Sequence, residues 1–211
     1  MKCQLLIITL FTVVTSCKAT PGGTPVPMLE FKPGMISKTL YKGQIKDGRR
    51  WKDKRGENII ILTQSGVYWE DVVKAYRGGK LYAYHFIRSA DSTFKEAWKL
   101  TEVVGECAFD VKCDFFANSL TVTDLDGDGI AEVTFAYATG CRLDIDPDEK
   151  TLVFYEGANL YKIKGTTSVI KGKEKLGGAK KVEKKFDEAP DAFLEFANKQ
   201  WNKFGEAPAG K

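Results

Sequence analysis

Residues 58–63 read Asn58-Ile59-Ile60-Ile61-Leu62-Thr63, a run of branched apolar side chains that is typical of a buried β-strand. Short runs of similar character recur along the chain. They cover residues 120–122 and 132–137 on either side of an acidic loop, and residues 152–155 and 160–163, which form a predicted hairpin. Turn-forming residues at 77–80 predict a further turn, between strands at 72–76 and 81–86.

One segment near the C-terminus has helical periodicity. Its apolar side chains share one helix face: Phe193, Phe196, Ala197, Trp201 and Phe204. Pro190 lies in the predicted first turn and Gly205 just after the last turn, where each residue type is favoured. We therefore predict a mainly β (α+β) fold, an antiparallel sheet or sandwich with a C-terminal amphipathic helix at 189–204.

Length and composition match those of a soluble globular domain. The 211 residues are 43% hydrophobic and 28% charged, which excludes a globally disordered chain and a polytopic membrane protein.

His85 is the single histidine, so zinc sites with two histidines are excluded and a Ser–His or Cys–His mechanism has one possible base. We expect His85 to be a strand residue with a satisfied hydrogen bond. The chain has no sequence signature of a metalloprotease, a serine hydrolase or a phosphate loop.

The N-terminus has the pattern of an export signal. Lys2 precedes an apolar run at residues 5–14, which is far shorter than the roughly 20 residues that span a bilayer. The run ends in Val14-Thr15-Ser16-Cys17, which resembles the lipobox of bacterial lipoproteins. This resemblance implies a lipoprotein signal peptide at 1–16 and a lipid anchor on Cys17. The alternative is an ordinary signal peptide that is cut a few residues later.

Proline and glycine are concentrated just after Cys17, where four of the seven prolines fall. Because proline removes hydrogen-bond donors and glycine adds chain entropy, residues 17–36 are predicted to form a tether. One β-rich domain is then predicted at 37–211. The absence of acidic residues directly after Cys17 favours the periplasmic side of the outer membrane over the cell surface.

Charge is unevenly distributed along this domain. Residues 106–149 contain 11 Asp and Glu against Lys112 and Arg142, a net charge of −9. Residues 171–185 contain seven Lys against Glu174 and Glu183, a net charge of +5. The basic stretch lacks arginine and interleaved aromatic residues, so we expect a solvated loop and no nucleic-acid partner. Contacts with lipid headgroups or an acidic glycan are the alternatives.

The acidic stretch contains a motif with the spacing of a calcium loop, D-x-D-G-D-G-x-x-E, at residues 124–132. Its carboxylates belong to Asp124, Asp126, Asp128 and Glu132, and Ile130 would add a main-chain carbonyl. Ca²⁺ takes six to eight oxygen ligands, and glycines let the chain coil tightly enough for these oxygens to converge. The motif therefore predicts a bound Ca²⁺. The alternative is a packed acidic hairpin without metal.

Two features distinguish this loop from an EF-hand. Phe135 stands at position 12, where an EF-hand requires Glu, and the flanking segments are predicted strands. The loop instead resembles the strand-loop-strand calcium loops of integrin-type (FG-GAP) propeller blades. It departs from them in carrying Glu132 where that family usually has Asp. A single copy implies a metal site and not a propeller.

Several further motifs share one resemblance. They are Trp51-Lys52-Asp53-Lys54, Cys107-Ala108-Phe109-Asp110, Phe135-Ala136-Tyr137, residues 141–147 and Phe154-Tyr155-Glu156-Gly157. Together with the calcium loop they resemble a family of uncharacterised exported bacterial proteins loosely labelled surface polysaccharide biosynthesis proteins. The resemblance covers about residues 41–165, and it departs from the family at Asp146, where members usually carry Ser. The label names a genetic setting and no reaction, so it implies no catalytic residues.

Three cysteines remain in the predicted mature domain beyond Cys17. Cys107 and Cys141 match two positions of that family, and the resemblance implies a disulfide between them in an oxidising compartment. A tighter ring between Cys107 and Cys113 is the alternative. A cysteine hydrolase would need one of these thiols beside His85, and the sequence does not predict that.

Two functions fit these patterns. The first is a calcium-stabilised lipoprotein of the cell envelope, not an enzyme, which binds a glycan or an envelope protein, in the setting of surface polysaccharide biogenesis. The second is a carbohydrate-active hydrolase with paired carboxylates, for which Asp144, Asp146, Asp148 and Glu149 are candidates. Trp51, Tyr68 and Trp69 could stack on sugars, although core packing is the ordinary role of each.

Overall fold

The computed structural model describes residues 23–205 and confirms a mainly β fold with one C-terminal α-helix. The first sheet is antiparallel, and its five strands lie side by side in chain order. They are β1 (Met28–Leu29), β2 (Gln44–Asp53), β3 (Gly56–Asp71), β4 (Tyr76–Arg88) and β5 (Phe94–Cys107).

The second sheet is built from the following part of the chain. Its first strands are β6 (Asp110–Phe115), β7 (Thr121–Thr123), β8 (Glu132–Arg142), β9 (Glu149–Glu156) and β10 (Asn159–Thr166). The next two strands, β11 (Ser168–Lys171) and β12 (Glu174–Gly177), pair only with each other, and β13 (Lys180–Val182) then pairs with β10. The order across the sheet is β13-β10-β9-β8-β6, and β7 also pairs with β8. The predicted hairpin at 152–163 is confirmed by the pairing of β9 with β10.

The sandwich core lies between the two sheets. Trp51, Ile60 and Leu62 of the first sheet pack in one cluster with Phe135 and Val153 of the second. On the opposite side of β3, a separate cluster contains the alternate residues, with Tyr84, Phe86 and Ile36 around Ile59 and Ile61. Both faces of β3 are therefore buried over residues 58–63, which accounts for the uninterrupted apolar run there.

The helix α1 (Asp191–Lys203) covers the outer face of the second sheet, as predicted. Phe193, Ala197 and Trp201 pack against Phe154 and Tyr161, and the ring centroids of Phe154 and Phe193 lie 4.8 Å apart. Short 3₁₀ turns occur at Pro33–Met35, Lys38–Leu40 and Lys184–Glu188. None of the helices between residues 23 and 205 has both the length and the apolar character that a membrane span requires.

The turn predicted at residues 77–80 is wrong. The chain reverses at 72–75, and β4 already begins at Tyr76, so Gly78 and Gly79 lie within a strand. A Cβ on Gly79 would lie 2.8 Å from the Cβ of Cys113 on β6. The glycine serves the close approach of the two sheets rather than a turn.

The described part of the predicted tether, residues 23–36, also differs from the prediction. Met28 and Leu29 form β1 and pair with Trp51 and Arg50 of β2. Ile36 is buried against the outer face of the first sheet. Pro and Gly content therefore does not exclude packing here, because a sheet edge and an exposed apolar face are available to this segment. The predicted signal peptide at 1–16, the predicted lipid anchor Cys17 and residues 18–22 lie outside the described residues.

Candidate metal centre

The acidic loop, residues 124–132, joins β7 to β8, so the predicted flanking strands are confirmed. Gly127 and Gly129 have φ of +74° and +83°, which L side chains rarely adopt, and these values let the loop coil tightly. One carboxylate oxygen from each of Asp124, Asp126 and Asp128 lies within 4.8 Å of the other two. The fold thus brings together three of the predicted ligands.

Hydrogen bonds within the loop orient two of these carboxylates. The Asp128 amide donates to Asp126 Oδ1 at 3.1 Å, and the Ile130 amide donates to Asp128 Oδ1 at 2.6 Å. Asp128 therefore fixes the position of the Ile130 amide. That the Ile130 carbonyl is a metal ligand stays a prediction.

Asp124 differs from its two neighbours because it is buried. It is 6% exposed, and no hydrogen-bond donor among residues 23–205 reaches its Oδ1. Burying a polar group without a hydrogen-bond partner costs roughly 1–3 kcal/mol in proteins, and an unpaired charge costs more. A bound cation would compensate this cost, since it would take the place of the missing donor.

Glu132, the fourth predicted acidic ligand, is fully buried at the start of β8. The Thr123 hydroxyl donates to its Oε2 at 2.8 Å, and the Leu125 amide lies 3.0 Å from the same oxygen. A carboxylate oxygen of Glu132 lies within 4.8 Å of those of Asp126 and Glu156. Burial raises the pKa of Glu132 to about 8, despite the donors that lower it. Glu132 therefore belongs to a second group of acids that shares Asp126 with the first.

Glu156 is a member of this group that the calcium motif does not include. It ends β9 and is the direct cross-strand partner of Glu132 on β8. Burial, followed by the charges of Asp126 and Asp128, raises its pKa. Like charges directly opposite each other on a sheet are unfavourable. Burial is the main cause of both raised pKa values, and the nearby Asp126 charge adds to it. Protons or a cation would relieve both effects.

The carboxylate of Asp53, at the end of β2, ties the acidic loop to the first sheet. Its Oδ1 accepts hydrogen bonds from the Arg55 amide at 2.8 Å and the Asn58 side-chain amide at 2.9 Å. Its Oδ2 accepts from Trp51 Nε1 at 3.0 Å and from the Ala131 amide at 3.3 Å. One carboxylate thus joins the β2–β3 turn, the core and the loop.

Lys54, the next residue, adds two hydrogen bonds to the same loop. Its amide donates to the Gly129 carbonyl at 2.9 Å, and its Nζ donates to the Asp128 carbonyl. Asp53 and Lys54 stand in the Trp51–Lys54 motif, but the sequence does not show that they reach the loop. Pairing between distant strands determines that contact.

The repulsion energy among the three aspartates indicates how much a bound cation could stabilise the loop. At 4.8 Å, two unit charges repel by about 1 kcal/mol in water and by about 3–4 kcal/mol at an effective dielectric constant of 20. The oxygen ligands, the coiled glycine loop and the buried Asp124 suit a hard divalent cation such as Ca²⁺.

The cysteines are arranged as the family resemblance implies. The sulfur atoms of Cys107 and Cys141 are 2.07 Å apart, and Cys113 is buried as a free thiol. The predicted disulfide is therefore confirmed, and the alternative ring with Cys113 is not formed. Burial raises the pKa of the Cys113 thiol to about 11, with the Asp114 charge as a smaller cause, so this thiol is not an activated nucleophile.

Two of the four acids proposed for a hydrolase form ion pairs with different basic side chains. Lys171 Nζ lies 2.8 Å from Asp144 Oδ2 on the surface, and Arg142 Nε lies 3.4 Å from the largely buried Asp148 Oδ1. Asp146 and Glu149 are exposed. These ion pairs give no geometric support to a pair of catalytic carboxylates.

The aromatic candidates for sugar stacking have different environments. Trp51 is fully buried and stacks on His85, with ring centroids 5.3 Å apart. His85 Nε2 lies 3.0 Å from Asn58 Oδ1, which confirms a buried strand histidine with a hydrogen bond. Tyr68 is half-buried, whereas Trp69 is 59% exposed on the far part of β3. Only Trp69 retains a largely free ring among the three.

Comparisons of the chain with family models, curated proteins and solved structures found no match. The resemblance to exported surface polysaccharide proteins therefore stays a prediction.

Proposed function

We propose that this protein is a calcium-stabilised accessory or binding lipoprotein of the cell envelope, anchored to the outer membrane through lipid on Cys17. The convergence of the Asp124, Asp126 and Asp128 carboxylates around a buried, unpartnered Asp124 oxygen carries the calcium part of this proposal. The anchor follows from the resemblance of residues 14–17 to a lipobox.

The proposed ligands are the three aspartates, the Ile130 carbonyl and Glu132, with water in the remaining positions. Glu156 lies close enough to the shared Asp126 to contribute charge. The ion would neutralise the repulsion within the loop and fix its shape. Because Asp53 and Lys54 contact the same loop from the first sheet, the ion would lie where the two sheets meet.

The partner would be a glycan or another envelope protein, in keeping with the resemblance to surface polysaccharide proteins. A stabilising ion requires no catalytic residues, and the proposal includes no reaction. A glycan array with and without calcium would identify a carbohydrate partner and show whether binding needs the loop.

Calorimetric titration of the metal-stripped full chain tests the calcium site. Extracellular calcium modules bind with dissociation constants of roughly 10⁻⁴–10⁻³ M. At about 100 times that constant, binding to the folded state adds about 2.7 kcal/mol, so the melting temperature should rise with calcium and fall with chelator. Magnesium should bind more weakly, because it demands stricter octahedral geometry and resists dehydration.

Asp126→Asn and Asp71→Asn form a matched pair for this experiment. Each aspartate uses Oδ1 to accept an amide two residues further on, that of Asp128 or Val73. Asparagine can keep that hydrogen bond in both places and removes one negative charge. Asp126→Asn should abolish the calcium response, and Asp71→Asn should leave it intact. A wild-type protein without calcium heat, whose melting ignores chelator, would contradict the proposed site.

A further inference from the structure

The residues that precede β1 also contact the acidic loop. Residues 23–27, here called the N-terminal strap, run beside the loop before β1 begins. The Thr24 amide donates to the Asp124 carbonyl at 2.6 Å, and the Pro27 carbonyl accepts the Lys52 amide at 3.1 Å. Val26 packs against the core cluster between the sheets. The strap is thus fastened at the loop, at β2 and in the core.

The contact between strap and loop is direct. Gly23 has a φ of +71°, and a Cβ there would lie 2.5 Å from the Asp124 carbonyl oxygen. On the other side of the contact, a Cβ on Gly127 would lie 3.3 Å from Thr24 Oγ1. Glycine at position 23 lets the two main chains lie against each other, and glycine at position 127 leaves room for the Thr24 hydroxyl.

A cleft of about 300 Å³ accompanies this contact. The strap lines it with Pro25, Val26 and Pro27, and the facing side includes Asp124 and Ala131. Asp124 therefore offers its carbonyl to the strap, while its carboxylate belongs to the proposed metal site. The position of Asp124 therefore affects both the strap contact and the proposed metal site.

We propose that cation binding by the acidic loop and docking of the N-terminal strap are coupled, so that the strap is a calcium-dependent fastener. This inference rests on the proposed calcium site. Without the ion, repulsion among the aspartates displaces Asp124 and weakens the hydrogen bond from Thr24. Conversely, a docked strap holds Asp124 where the ion needs it. Such coupling is reciprocal, because each binding event changes the free energy of the other by the same amount.

Coupling would regulate how far the domain stands from the membrane. With lipid on Cys17, the docked strap leaves the residues from Cys17 to Gly23, which span at most about 20 Å when extended. Release of the strap back to Met28 lengthens this reach to about 37 Å. Calcium would therefore hold the domain close to the lipid surface, and its removal would let the domain move away.

Gly23→Ala tests the coupling, with Gly34→Ala as its control. An alanine at position 23 clashes with Asp124 and strains the positive φ, whereas a Cβ on Gly34 has no neighbour within 4 Å. Neither residue is a metal ligand. In titrations of the full chain, Gly23→Ala should weaken calcium binding by roughly tenfold, within the usual range of coupling energies. Gly34→Ala should match the wild type.

Hydrogen exchange of the wild type provides a second readout that needs no variant. Calcium should slow exchange of the Thr24 amide and leave that of Ala75, which donates to Val72 in a distant turn, unchanged. Equal affinities in the two glycine variants, or a Thr24 exchange rate that ignores bound calcium, would overturn the coupling and leave the calcium site standing. Absence of calcium binding in the wild type would overturn both.

Discussion

Replacement of Asp53 by asparagine should destabilise the cation-free fold by about 3 kcal/mol. All four groups that reach the Asp53 carboxylate are donors, two at each oxygen. An asparagine of the same shape can present its oxygen to only one pair. Its NH₂ group must then face the other pair, where donor meets donor.

The size of the destabilisation depends on which pair of donors loses its hydrogen-bond acceptor. The Arg55 and Asn58 donors lie closer, at 2.8 and 2.9 Å, so the asparagine oxygen should keep them. Trp51 Nε1 and the Ala131 amide then lose their acceptor. Trp51 is fully buried and Ala131 is 6% exposed, so water replaces neither hydrogen bond well. An unsatisfied buried donor costs roughly 1–3 kcal/mol, so the two together cost roughly 2–6 kcal/mol. Because the Ala131 hydrogen bond is long, at 3.3 Å, we expect the lower part of this range, about 3 kcal/mol.

Asp47→Asn is the matched control on the same strand. The Gly48 amide and Arg49 Nη1 both donate to Asp47 Oδ1, so an asparagine oxygen can keep both while its NH₂ group points elsewhere. Urea unfolding of both variants in chelator would measure the difference. We expect Asp47→Asn to lose less than about 1 kcal/mol, mainly from its partly exposed ion pair with Arg49. Equal losses in the two variants would refute the reasoning that Asp53 joins the loop to the first sheet.

Three further predictions concern other parts of the chain. Replacing both Cys107 and Cys141 by alanine removes a disulfide that joins residues 34 positions apart in the sequence. The free energy of unfolding should fall by about 4 kcal/mol in the chain-entropy model, and reductant should have no further effect on the variant. An unchanged stability would contradict the model. Burial lowers the pKa of His85 to about 3, so the unfolded chain is protonated first as pH falls. Wild type should consequently lose about 2 kcal/mol more than His85→Gln between pH 7 and pH 5 in urea unfolding, and parallel pH profiles would argue against it. Cys17→Ser should release the protein from membranes on fractionation, because the proposed attachment sulfur is gone, and a fully membrane-bound variant would count against lipidation.

The fold class could be predicted from sequence because its main signals are local. The apolar run in β3 and the helical face from Phe193 to Trp201 each appear within a few residues. Gly78 and Gly79 show where such signals fail. A glycine pair is compatible with a turn or with close packing. Close packing applies here because the other sheet places Cys113 opposite Gly79, and the sequence does not show this contact.

The candidate site also contains residues that a local sequence pattern predicts and residues that it does not. Asp124, Asp126 and Asp128 converge through the local geometry of one glycine loop, so their spacing predicts the group. Glu156 joins through the register of β8 with β9, and Asp53 through a contact between sheets. Neither contact leaves a local pattern, although a pair of glutamates opposite each other would be a signal once the register is known.

The two glutamates also indicate how the loop and the sandwich can respond separately to the ion. Glu132 and Glu156 are direct cross-strand partners, and their raised pKa values show that the fold disfavours charge on both. Asp53 and Lys54 hold this end of the sandwich through the Ala131 amide and the Gly129 carbonyl, which belong to residues that are not proposed ligands. The strap, in contrast, is hydrogen-bonded to Asp124, which is a proposed ligand. Loss of the proposed ion should therefore loosen the aspartates and the strap, while the sheets stay paired. A cation-free protein that keeps its core but releases its strap is the state in which the domain could extend from the membrane.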